Sequence, residues 1–173
     1  MSTVNRVEVF YFSSDSRAKV MFKKFQESGF DVDSLFLIDA YTIVGDFVLD
    51  ELEKIAGILT NPIIQCYSIN SHQSFALRDF DYALEIGFLP GVTDNVANTV
   101  EELLLDLFQK KAEVFTSRIF LIKTNADKKM IFEMAKSVCN ELIQRIHVRK
   151  KEEFLSEQNW VVPRTSIVGG SNV

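Results

Sequence analysis

Apolar positions along the chain switch between strand-like alternation and helical spacing. Arg6 to Phe12 (RVEVFYF) is β-branched and aromatic, with polar residues only near its start, and predicts a strand. Val7, Val9 and Tyr11 fall on one face of it, Phe10 and Phe12 on the other. Ser13, Ser14, Asp15 and Ser16 offer helix caps. Ala18, Met21, Phe22 and Phe25 then recur at helical spacing, with Gly29 placed to end the helix. A long extended stretch runs from Val32 to Val44 and is broken at Gly45-Asp46. Leu52, Ile55, Ala56 and Leu59 stripe a second helix. Asn61-Pro62 stops it, because proline disfavours helical geometry in the residue before it. Ile63 to Ile69 predicts a third strand.

Asn70 to Asp79 is polar and punctuated, and predicts a linker with an exposed His72. Beyond it the order recurs. Tyr82 to Leu89 predicts a strand, Pro90-Gly91 a turn, and Asp94 or Asn95 a helix cap. Val96, Val100, Leu103, Leu104 and Leu107 stripe a third helix. Val114 to Lys123 is a strand, Ile131, Met134, Ala135 and Val138 stripe a fourth helix, and Ile143 to Val148 is a last strand. The tail offers one short strand, Trp160 to Val162, and a Gly/Ser terminus expected to be mobile.

Shifting the first half by 79 positions tests the recurrence. Leu52, Ile55, Ala56 and Leu59 land on Ile131, Met134, Ala135 and Val138; Asn61 lands on Asn140, Ile64 on Ile143 and Gln65 on Gln144. The shared Asn and Ile-Gln pair point to a duplication. The expected fold is α+β: two fused βαβαβ repeats, 1–69 and 80–148, joined by a linker at 70–79 and followed by an extension at 149–173. Helices of this kind pack on largely antiparallel sheets in two layers. The strands are apolar on both faces, and a repeat standing alone would expose a large apolar patch. A pseudo-dimer in which the halves cover one another about a pseudo-two-fold axis removes that exposure.

Composition narrows the function. The chain has 173 residues, 47% of them apolar and 25% charged, which suits a globular protein with a real core. A net charge of -5 argues against nucleic acid as a partner. Arg145, Arg149, Lys150 and Lys151 cluster, but Glu152 and Glu153 follow at once, as on a solvated helix or loop. No apolar run is long enough for a membrane span, and MSTVNRVEVF is no signal peptide; a cytoplasmic location is expected. Cys66 and Cys139 form no C-x-x-C motif, Cys139 fits a small buried hydrophobe, and a cytosolic setting disfavours a disulfide. Cys66 could act as a nucleophile only if His147 reached it, which requires the last strands of the two halves to be neighbours. Both usual phosphate-binding glycine motifs are missing, and two distant histidines make no metal triad. Asp50-Glu51 and Glu101-Glu102 fit solvated helix faces, while Asp39 and Asp46 fit strand ends. The expectation is no catalytic, metal-binding or cofactor-binding residue.

One segment is sharper. FLPGVTDN, Phe88 to Asn95, couples a strand end, a rigid turn and a helix N-terminus, where Asp94 is expected to cap its own helix. LEIGFLPGVTDNVANTVEELL, with SRIFLI at Ser117 to Ile122, resembles the small subunit of phosphoribosylformylglycinamidine synthase, and more closely the N-terminal region of that enzyme's larger synthase chains. AYTIVGD at Ala40 to Asp46 and ELEKIAGILTNPIIQCYSI at Glu51 to Ile69 look like the first half of the same region. The likeness spans roughly Arg6 to Val148, with Ala97 where the family commonly carries glycine. It implies a non-catalytic structural part of an ATP- and glutamine-dependent ligase of purine biosynthesis. Such a part bridges the synthase and glutaminase and supports ammonia transfer, while ATP and magnesium belong to the synthase partner. It singles out Asn61, Pro62, Gln65, Pro90, Gly91, Asp94, Arg118 and Gln144 as motif and interface positions. The chain would be either an independent fused small subunit or the N-terminal domain of a larger chain. The competing expectation is a regulatory module of ferredoxin-like repeats that binds a small metabolite.

Overall fold

The computed structural model describes residues 2–163. The first half runs β1 (Thr3–Tyr11), α1 (Ser16–Glu27), β2 (Ser34–Gly45), α2 (Leu49–Leu59) and β3 (Gln65–Ile69). The second runs β4 (Tyr82–Phe88), α3 (Asn95–Phe108), β5 (Glu113–Lys123), α4 (Lys128–Val138) and β6 (Gln144–Lys150), followed by a short α5 (Lys151–Leu155). The expected helix signals do their work locally. Asp15 caps α1 by accepting from the Arg17 N–H, and Gly29 follows the helix with φ +83, a conformation that costs glycine little.

All six strands form one antiparallel sheet in the order β3-β1-β2-β5-β4-β6. The halves therefore do not cover one another face to face, as their two-sided apolar strands suggested. They join edge to edge through β2 and β5, paired from Ser34↔Lys123 to Val44↔Glu113. Within that ladder Asp39 pairs with Arg118, its own counterpart 79 positions later, so the pseudo-two-fold axis passes between them. Tyr11 pairs with Gln65 and Phe88 with Gln144, which makes the Gln pair equivalent and places Glu8 and Glu85 in equivalent positions.

Four helices lie on one face, and they pair across the halves. Leu52, Ile55 and Ala56 of α2 join Ala97, Val100 and Leu104 of α3 over Val7, Val9, Ile43 and Val114. Ala18 and Phe25 of α1 join Ile131, Met134 and Ala135 of α4 over Leu37, Leu84, Phe120 and Ile122. The other face is covered differently. Phe75, from the segment expected to be a linker, Phe80 just after it, and Phe154 of α5 pack on Ile38, Ala40, Ala83, Ile119 and Leu121. That segment is thus a lid, and His72 within it is fully buried rather than exposed. Arg149, expected on a solvated surface, is only 4% exposed. Trp160 to Val162 forms no strand, and the Gly/Ser terminus lies outside the described residues. No helix among the described residues is long and apolar enough to cross a membrane.

Candidate functional site

A cleft of about 610 Å³ opens on the helical face over the pseudo-two-fold axis. Its floor is the Asp39 and Arg118 pair, and its walls come from the α1 and α3 N-termini, the end of α4 and the start of β6. Asp39, expected at a strand end, therefore sits in the middle of β2. Its carboxylate accepts from both terminal nitrogens of Arg17, at 3.1 and 2.8 Å, and Asp15 accepts from the same guanidinium. Burial alone would lower the Arg17 pKa; the hydrogen bonds to Asp39 and Asp15 outweigh it and hold the guanidinium charged. Burial, helped by Asp39, raises the Tyr41 phenol above its ordinary range, so it stays protonated. Arg118 is the freest cation of the cleft, 3.9 Å from Asp39 and with its side chain 57% exposed.

Asp94 does more than cap. One carboxylate oxygen accepts from the Ala97 N–H at 3.0 Å, and the other accepts from the Thr116 N–H and hydroxyl at 3.0 and 2.6 Å. The carboxylate ties α3 to β5 and occupies the helix N-terminus that an external anion would need. Ala97 is buried within this cap.

Of the positions singled out in the sequence, Asp94, Arg118 and Gln144 converge on this cleft, and Pro90 and Gly91 lie on the loop that enters it. Asn61, Pro62 and Gln65 do not join them. They build the equivalent turn before β3, at the far edge of the sheet. The two turns have the same wiring. Gln65 Oε1 accepts from the Asn61 N–H at 2.8 Å and Gln144 Oε1 from the Asn140 N–H at 2.9 Å; Asn61 and Asn140 Oδ1 accept from Ile63 and Leu142. Each turn thereby presents an exposed apolar side chain, Ile63 or Leu142.

Two helix acids expected on solvated faces are brackets instead. Glu51 binds Lys110 at 2.8 Å and Glu101 accepts from the Val114 N–H at 2.8 Å. Both cysteines are free; Cys139 is half-buried at the end of α4, where burial and Glu141 raise its thiol. Cys66 on β3 and His147 on β6 occupy opposite sheet edges, so they form no nucleophile–base pair. No cluster of three or more metal-ligating side chains occurs among the described residues.

Sequence reasoning missed the largest polar constellation, a closed ring of buried charges on the face without the four helices. His72 Nε2 lies 2.8 Å from Glu8, Glu8 is 3.4 Å from Arg6, and Arg6 donates to Glu85 at 2.6 Å. Glu85 also accepts from Arg149 at 2.5 Å, Arg149 donates to Glu157, and Glu157 returns to within 3.8 Å of His72 Nδ1. His72 Nδ1 faces the Phe154 carbonyl at 2.7 Å, which can only accept. The signal was present: Arg6 and Glu8 recur at every second position of β1, Arg145, His147 and Arg149 do so on β6, and Glu85 interrupts the apolar run of β4. The chain matches no protein-family model and no curated protein.

Proposed function

We propose that the chain is a non-catalytic structural subunit, or N-terminal domain, of phosphoribosylformylglycinamidine synthase, bridging synthase and glutaminase and supporting ammonia transfer. The observation that supports this reading best is the convergence of Asp94, Arg118 and Gln144, drawn from separate motif segments, on the axial cleft. The acids there are engaged, Asp39 by Arg17 and Asp94 by a helix end and a strand, while Arg118 stays exposed. Such a cleft suits docking better than bond-making, because its acids serve to hold neighbouring groups in place. The matched apolar turns at Ile63 and Leu142 add equivalent contact points on either side of the axis.

Mixing the chain with synthase and glutaminase from the same source tests the reading. A stable complex burying more than about 1,000 Å² is expected, and glutamine-dependent amidine formation should require the chain. If omitting it changes neither the activity nor the co-migration of the other two, the bridging role is wrong. The size of the cleft favours a second reading, a metabolite-binding regulatory module. In that case purine intermediates or amino acids should raise the melting temperature, with a stabilisation of RT ln(1 + [L]/Kd) that keeps growing with the logarithm of ligand concentration.

A further inference from the structure

A small cavity of about 90 Å³ lies on the lid side of the sheet, beside the charge ring. Arg145, His147, Asn159 and Trp160 line it, together with ring residues. The ring carboxylates that reach it are already engaged. Glu85 accepts from Arg6, Arg149 and the Ser117 hydroxyl, and both oxygens of Glu157 accept from Arg149.

Arg145 is different. Its guanidinium folds back over Gly87, directly across the ladder, where an added Cβ would stand 3.0 Å from Nη2 and 3.3 Å from Nε. Only glycine leaves room for the guanidinium to lie so close to the sheet. Arg145 forms no ion pair among the described residues, and its Nε is buried without a hydrogen-bond partner. Loss of hydration lowers its pKa; Glu85 acts the other way, but Arg6 and Arg149 add to the lowering. Arginine stays charged through any such shift. A partly desolvated guanidinium left without an anion is costly, and an oxyanion in the fork of its N–H groups removes that cost.

The duplication sharpens the point. The positions equivalent to Arg145, His147 and Arg149 on β3 are Cys66, Ser68 and Asn70. On this face the edge strand is neutral in one half and carries two guanidinium groups in the other, so the repeat itself does not require those cations. Arg149 is consumed by the ring, which leaves Arg145 as the guanidinium lining the cavity that makes no hydrogen bond to a carboxylate among the described residues, with His147 as a further donor beside it.

We infer that this cavity binds a compact oxyanion, a carboxylate or a phosphate group, with Arg145 as its principal ligand. The inference does not rest on the proposed bridging role, which concerns the opposite face of the sheet.

Trp160, the chain's one tryptophan, lines the cavity and supplies the readout. Its fluorescence in the full chain would be titrated with sodium phosphate and with sodium acetate, against sodium chloride at matched ionic strength. A saturable change at millimolar concentration is expected with phosphate or acetate and not with chloride. The stronger of the two identifies the oxyanion as tetrahedral or planar. Arg145→Met should weaken that binding by about tenfold or more. Its melting temperature in anion-free buffer should be unchanged or higher, since the substitution removes an unpaired charge and touches no ring contact. The Arg145 Nε–Hε resonance of the unaltered protein provides a check independent of the variant, and it should shift with the same midpoint as the fluorescence. No saturable response to either anion, or an undiminished one in Arg145→Met, overturns the site.

Discussion

Glu85 is where the charges of the two halves meet. It stands between Arg6 of β1 and Arg149 of β6 and also accepts from Ser117. Burial pushes its pKa up, but the two guanidinium groups and the hydroxyl outweigh that and hold the carboxyl well below the usual carboxylate range. A carboxyl with a depressed native pKa contributes stability that is fully present above its unfolded value, about 4.3. That contribution is lost as pH falls below the unfolded value toward the native one. Glu85→Gln should therefore cost about 3–5 kcal/mol at neutral pH, because it leaves two buried cations facing a neutral amide. The variant should also lose less further stability than the parent protein between about pH 5 and about pH 3. Urea unfolding at both pH values measures this, and parallel pH profiles would assign the acid sensitivity to other carboxylates.

At the level of single elements, the two best-defined helix caps make a controlled comparison. Asp127 caps α4 through the Met130 N–H alone, whereas Asp94 caps α3 and also ties it to Thr116. Asp127→Ala should cost roughly 1 kcal/mol, the ordinary value of a cap. Asp94→Ala should cost roughly 2 kcal/mol, since two further hydrogen bonds to a charged acceptor are lost. Equal costs in denaturant titrations would mean that the tie to β5 contributes nothing. The helices and strands of both repeats were legible because each buries one stripe or face, and that burial imposes a periodicity. The lid was not. Asn70 to Asp79 buries only His72, Phe75 and little else, and a few anchors in a polar stretch leave no period to detect. The extension fails for the same reason, with Phe154 as the one fully buried apolar residue among those described. The candidate cleft was half legible. The turn around Asp94 announced itself through its chemistry, but nothing in the spacing says that Asp39 meets Arg118, because that follows only from the β2–β5 register.

That register joins the two repeats into one sheet. The halves share a sheet through a continuous β2–β5 ladder from Ser34↔Lys123 to Val44↔Glu113. They also exchange cover: α2 and α3, from different halves, share one core, and α1 and α4 share the other. The charge ring crosses the boundary at Arg6–Glu85, and His72 of the lid stacks on Phe154 at a centroid separation of 3.8 Å. Residues 1–79 made alone would bare the β2 edge, lose about a third of one core and nearly two-thirds of the other, and take Glu85 away from Arg6. A long apolar edge of that kind invites aggregation rather than folding. The expectation is that neither 1–79 nor 80–173 unfolds cooperatively by itself, whereas co-expressed halves assemble into a complex with a single thermal transition. Size-exclusion chromatography and calorimetry of each half and of the pair decide it. A cooperative transition in either half alone would mean that the repeats are independent domains, and that the shared sheet is an interface between them rather than the core of the fold.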